Sequence, residues 1–132
     1  MSFIGARVAI KAHDGKFLTI DNGSLKLKEC DNELSHEITF YVPLAVNNVF
    51  VQAYTREFVS VKDNGEIGLV PCDYNLGQNE AFNFICLGMN RAAIVANNGK
   101  YVSAVNDKLG TVMASSASIG ENETFEVILV FR

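Results

Sequence analysis

Apolar and polar residues alternate over short runs in this chain, and no long window keeps the spacing of about 3.6 residues that a helix needs. Leu25-Lys26-Leu27-Lys28 is the plainest case, with leucines on one side of an extended segment and lysines on the other. Three longer runs share one pattern: an apolar strand, a small alanine, a polar turn, then an aromatic, an aliphatic and a hydroxyl residue. They begin at Val8, Val49 and Ala92 and end at Thr19, Ser60 and Ser103. Ala12, Ala53 and Ala96 stand 41 and 43 residues apart, as do Phe17, Phe58 and Tyr101. Closing runs led by Phe40, Phe82 and Phe125 follow at separations of 42 and 43.

Between opening and closing runs, Asp21-Asn22-Gly23 precedes Leu25-Lys26-Leu27 and Asp63-Asn64-Gly65 precedes Ile67-Gly68-Leu69. Asn-Gly flanked by apolar residues is a strong hairpin signal, because both central residues must accept positive φ. Asn106-Asp107 before Thr111-Val112-Met113 holds the matching place in the third copy. The chain therefore divides into copies at about 6–45, 46–89 and 90–132, each with about four short strands.

One such copy cannot bury its own apolar face, so the three must share a core. A single all-β domain follows. Three blades are too few for a propeller, and a jelly roll does not explain a threefold repeat. A closed barrel with threefold pseudosymmetry and a hairpin cap, the β-trefoil, accounts for both the repeat and the missing edges. Its expected core is Phe17, Phe58 and Tyr101, Phe40, Phe82 and Phe125, with Ile10, Val51 and Ile94 beside them. The Phe17 set is expected to plug the barrel, behind turn glycines Gly15 and Gly99.

Composition narrows the function classes. A chain of 132 residues that is 48% hydrophobic suits one packed domain. A formal charge of -4 argues against a nucleic-acid binder that relies on overall basicity. Met1 to Arg7 has no apolar h-region, and no apolar stretch is long enough to span a bilayer. Cys30, Cys72 and Cys86 are odd in number and lack paired metal spacing, so free, mostly buried thiols in a reducing cytoplasm are expected.

No metal, cofactor or catalytic motif is recognisable, and an enzyme is not expected. A cysteine nucleophile paired with a histidine would need a third group to orient the base, and none can be named. Cys30, Cys72 and Ser115 hold matching places in the three copies, which reads as packing rather than chemistry.

Gly15-Lys16-Phe17-Leu18-Thr19 and Gly99-Lys100-Tyr101-Val102-Ser103 resemble the repeat signature of the fascin and hisactophilin type of trefoil. The second copy departs from it, with Arg56-Glu57 in place of Gly-Lys. The likeness covers nearly the whole chain and implies the trefoil fold and association with actin. The histidine-rich surface that gives hisactophilin its pH response is missing, since only His13 and His36 are present.

Basic residues concentrate in the first copy, where Arg7, Lys11, Lys16, Lys26 and Lys28 are five of the eleven in the chain. They are the candidate partner-binding residues, suited to an acidic protein such as actin. Six carboxylates in the same copy, among them Asp14, Glu29 and Asp31, compete with them.

Two other readings stand beside this one. Sugar binding, as in trefoils resembling the ricin B chain, could use Asp21, Asn22, Asp63, Asn64, Asn106 and Asp107, although the Gln-x-Trp signature is impossible without Trp. A protein-interaction or inhibitor loop could use Tyr74 and Leu76. The identity of the ligand and the oligomeric state are open at this level.

Overall fold

The structure is a computed structural model that describes residues 5–31, 35–43, 47–73, 75–105 and 110–130. The first copy contributes β1 (Gly5–Lys11), β2 (Phe17–Asp21), β3 (Ser24–Lys28) and β4 (Thr39–Pro43). The second contributes β5 (Val49–Phe50), β6 (Gln52–Ala53), β7 (Phe58–Val61), β8 (Ile67–Val70) and β9 (Ala81–Gly88). The third contributes β10 (Arg91–Val95), β11 (Tyr101–Ala104), β12 (Val112–Ser116) and β13 (Phe125–Leu129). A 3-10 turn precedes each closing strand, at His36–Ile38, Gln78–Glu80 and Glu121–Glu123. Among the described residues, no helix is long and apolar enough to cross a membrane.

Each opening strand pairs with the closing strand of its own copy and with that of the copy before. Val8 lies opposite both Phe40 of β4 and Leu129 of β13. Phe40 lies opposite Ala53 of β6, Val49 opposite Phe82 of β9, and Ile94 of β10 opposite Phe84. β10 in turn joins β13, which closes the ring and leaves no free barrel edge among the described strands. The hairpins β2–β3, β7–β8 and β11–β12 stand at one end and touch in a triangle. Ser24 meets Gly68 there, Lys26 meets Thr111, and Glu66 meets Met113. The fold is a β-trefoil.

The core differs from expectation in one respect. Phe40, Phe82 and Phe125 fill the barrel at 2%, 3% and 0% exposure, with Ile10, Val51 and Ile94 beside them as expected. The second ring of interior residues is Leu18, Val59 and Val102, one position after the aromatics expected there. Side chains alternate along a strand, so an inward Leu18 forces Phe17 outward. Phe17 is still buried, but in a separate outer cluster with Ala9, Ile38 and Val130. Phe58 and Tyr101 are only half-buried, and Phe58 packs edge-on to Phe50 with centroids 6.5 Å apart.

The turn after each opening strand is the same in all three copies. Backbone N–H groups of Gly15, Arg56 and Gly99 donate to Ala12, Ala53 and Ala96. All three take positive φ, at 89°, 77° and 78°. The second copy keeps this left-handed geometry with an arginine, at some conformational cost.

The thiols also differ from expectation. Cys30 is half-buried, whereas Cys72 and Cys86 are exposed, so these cysteines are not mainly packing residues. Ser115, the counterpart of Cys30 and Cys72, is exposed too.

Candidate partner-binding faces

Strand parity decides which basic residues meet. Val8 and Ile10 point into the barrel, which sends Arg7 and Lys11 to the outer face of β1. Leu25 and Leu27 pack on the core, which sends Lys26 and Lys28 outward from β3. Register then sets a row across three strands, with Lys11 opposite Phe17 and Phe17 opposite Lys28. The Lys11 ammonium lies 5.6 Å from the Phe17 ring centroid, and its stem helps to cover that ring. Lys26 sits opposite Thr19 on the same face, where it also borders a depression of about 210 Å³ with Lys62, Glu66 and Thr111.

Arg7 and Lys16 stand apart from this row. Arg7 is four residues from Lys11 along β1, roughly 13 Å at the usual strand rise, and its guanidinium lies 5.9 Å from the Tyr41 ring centroid. Lys16 belongs to the β1–β2 turn, where its backbone N–H donates to Asp14 Oδ1 at 2.9 Å. The structure thus gathers Lys11, Lys26 and Lys28, leaves Lys16 at the rim, and places Arg7 against a different strand pair.

Among the described residues, Lys28 is the one of these with a direct carboxylate partner, Glu37 Oε2 at 2.7 Å. The hydrogen bond from Lys28, and then its charge, holds the Glu37 carboxyl below its ordinary value of 4.5. The same hydrogen bond to Glu37 raises Lys28 above 10.5. Stability from the Glu37 side is therefore complete above the ordinary carboxylate range and is lost as pH falls through the lowered value. Stability from the Lys28 side is complete below 10.5 and is lost as pH rises through the raised one. Both groups are well exposed, so the slope should be shallow. Thermal unfolding of Glu37→Gln between about pH 3 and pH 7 should lack the wild-type acid limb attributable to this pair. An identical acid limb in the variant would show that the pair does not contribute.

Two further carboxylates were legible only as loop residues. Glu80 and Glu123 are buried at the ends of their 3-10 turns. Ser60 Oγ donates to Glu80 Oε2 at 2.6 Å, and Ser103 Oγ donates to Glu123 Oε2 at 2.6 Å. The other oxygens accept from the Gly77 and Gly120 N–H groups at 2.8 and 2.7 Å. The signal was a repeated Gly-x-Asn-Glu-x-Phe, read at Gly77 to Phe82 and at Gly120 to Phe125. The first copy replaces that glutamate by fully buried Ile38, and Thr19 Oγ1 donates to the Glu37 backbone carbonyl instead.

The turn residues considered for sugar contact are partly committed to their own turns. Asn22 and Gly23 both take positive φ, at 51° and 74°. The Asn64 amide bonds Glu66 Oε1 and the Glu66 backbone N–H, at 2.9 and 3.0 Å. Asn106, Asp107 and Tyr74 lie outside the described residues.

Two clefts occur instead where one copy's closing segment meets the next copy's opening hairpin. Between the third and first copies, a cleft of about 770 Å³ is lined by Lys11, His13, Asp14, Arg91, Glu121 and Glu126 among others. Between the second and third, one of about 320 Å³ is lined by Asn48, Gln78, Asn83, Val95 and Asn97 among others. The residues match station by station, with Arg91 answering Asn48, Glu121 answering Gln78, Glu126 answering Asn83 and His13 answering Asn97. Such seams join residues about 40 positions apart and could not be seen in either copy alone.

No protein-family model matches the chain, and neither does any curated protein sequence. Solved structures do. The designed threefold-symmetric protein ThreeFoil superposes with a TM-score of 0.78 at 18% identity, over 92% of this chain and 97% of that one. Hisactophilin gives 0.73 at 21% identity, over 95% and 99%. SeviL bound to asialo-GM1 saccharide gives 0.73 at 7% identity, over 96% and 98%. At these identities the likeness is one of fold.

Proposed function

We propose that this chain is a non-enzymatic binding module of the cytoplasm that docks an acidic protein surface through the outer face of β1–β3. Filamentous actin is the partner that the fascin and hisactophilin resemblance favours. The observation that carries the reading is the placement of Lys11 and Lys28 on either side of the buried Phe17 across three strands, with Lys26 on the same face. Lysines carried on paired strands can meet carboxylates on a partner without ordering a loop first, which lowers the entropic cost of docking.

The non-enzymatic part of the proposal rests on the sequence, where a cysteine nucleophile paired with a histidine has no third group to orient the base.

Charge-driven docking weakens as salt rises, because exposed charges are screened beyond about 10 Å at 0.1 M ionic strength. Co-sedimentation with filamentous actin should therefore be strong at low salt and fall steeply at moderate salt. Sedimentation that is absent at low salt, or indifferent to salt, would contradict the proposal.

A further inference from the structure

We infer that the seam between the second and third copies is a binding site for a neutral saccharide, built from the carboxamides of Asn48, Gln78, Asn83 and Asn97. The site lies apart from the β1–β3 face and rests on different residues. Its four amides come from three separate places in the chain: the entry to β5, the 3-10 turn with the start of β9, and the β10–β11 turn. They converge on one open cleft of about 320 Å³, at the small end of the range for small-molecule sites, roughly 300–1,000 Å³.

Carboxamides suit hydroxyl groups. Each amide offers two N–H donors and a carbonyl acceptor, matching a hydroxyl that both gives and accepts, and none adds charge. Val95 and Ala81 supply apolar lining for the C–H faces of a sugar ring. One amide is already oriented: Asn83 Oδ1 accepts the Asn48 backbone N–H at 2.8 Å, which fixes the oxygen and leaves the Asn83 NH2 group available.

The fold itself does not require amides at these stations. The seam between the third and first copies carries Arg91, Glu121, Glu126 and His13 in the same four places. The first copy carries Arg7, His36 and Tyr41 at three of them, and the second carries Tyr54 at the fourth. Backbone conformation explains only Asn48, whose φ of 54° favours asparagine. Gln78, Asn83 and Asn97 are exposed positions where the same architecture accepts charge or an aromatic ring. Four carboxamides at one seam and none at their counterparts point to a ligand that is polar, uncharged and rich in hydroxyls.

An NMR titration of the ¹⁵N-labelled protein with methyl glycosides of galactose, N-acetylgalactosamine, glucose and mannose tests this. At least one glycoside should give saturable shifts in the side-chain amides of Asn48, Gln78, Asn83 and Asn97. The affinity should be unchanged when salt is raised, unlike docking at the lysine face. Asn97→Ala and Gln78→Ala alter exposed side chains and should keep the melting temperature, yet each should weaken binding by about tenfold, as expected for loss of direct hydrogen bonds to a ligand hydroxyl. A Lys26→Glu variant should bind the glycoside as the wild type does. No saturable shift with any of the four glycosides would overturn the proposal. So would shifts that centre on Asn22 and Asn64, or binding that survives the Asn97→Ala, Gln78→Ala double substitution.

Discussion

Truncation of Phe82 to alanine is expected to lower the free energy of unfolding by about 3–5 kcal/mol. The ring is 3% exposed and meets Phe40 and Phe125 in the barrel. A closed ring of paired strands cannot contract around a missing side chain, so the lost burial is joined by the cost of a cavity. The barrel interior already holds a small apolar void of about 20 Å³ bordered by Ile10, Leu18, Phe40 and Phe82 among others, and the truncation would enlarge it. Urea unfolding measures the effect. Phe58→Ala, at a half-buried site outside that interior, should cost clearly less. Equal losses at the two positions would contradict the placement of Phe58 outside the barrel interior.

The second large effect is expected at Gly65, in the triangle of hairpins. Gly65 has φ of 90°, and a Cβ there would lie 2.7 Å from the Ala114 carbonyl oxygen. Its own carbonyl accepts the Ala114 N–H at 2.8 Å, so the two hairpins cannot separate without losing that bond. Left-handed strain and overpacking together should make Gly65→Ala cost about 2–4 kcal/mol. Gly15 has nearly the same φ, 89°, but a Cβ there meets nothing within 4 Å. Gly15→Ala should cost about 1 kcal/mol, the conformational part alone. The second copy already tolerates Arg56 at the corresponding place. Thermal or urea unfolding of the two variants side by side separates backbone strain from steric contact, and equal costs would remove the contact from the explanation.

The threefold plan was legible in the chain because the alanines, aromatics and closing phenylalanines recur at nearly constant spacing. Strand parity at Phe17 was not. Size and hydrophobicity suggest that an aromatic belongs inside, but a short strand can turn either face inward until its partners fix the register. Here Leu18 takes the interior, and Ile38 with Val130 makes a dry outer site for Phe17. Ile38 could occupy that site only because the first copy lacks the glutamate that the other two bury.

The exposure of the cysteines was not legible for a related reason. Cysteine is usually buried, but Cys72 follows β8, the second strand of its hairpin, and Cys86 lies toward the end of β9, and both are exposed. The concentration of basic residues in the first copy is plain from the sequence. Their separation into a lysine row and a distant Arg7 follows from pairing that local sequence does not encode. Least legible were the seams, because the second copy supplies one wall and the third the other. A residue such as Asn97 looks like an ordinary turn former until Gln78 and Asn83 are placed beside it.

Docking at the first copy's outer face is tested most directly by charge reversal compared across copies. Co-sedimentation with filamentous actin at low salt should be measured for Lys11→Glu, Lys26→Glu, Lys28→Glu combined, and for Lys62→Glu, Arg91→Glu, Lys100→Glu combined. Both sets change the net charge equally, so general repulsion affects them alike. Circular dichroism melts confirm that each variant is folded before it is compared. The first set is expected to weaken sedimentation by about tenfold or more, and the second to leave it close to wild type. Equal weakening by the two sets, or no weakening by the first, would contradict docking through the β1–β3 face.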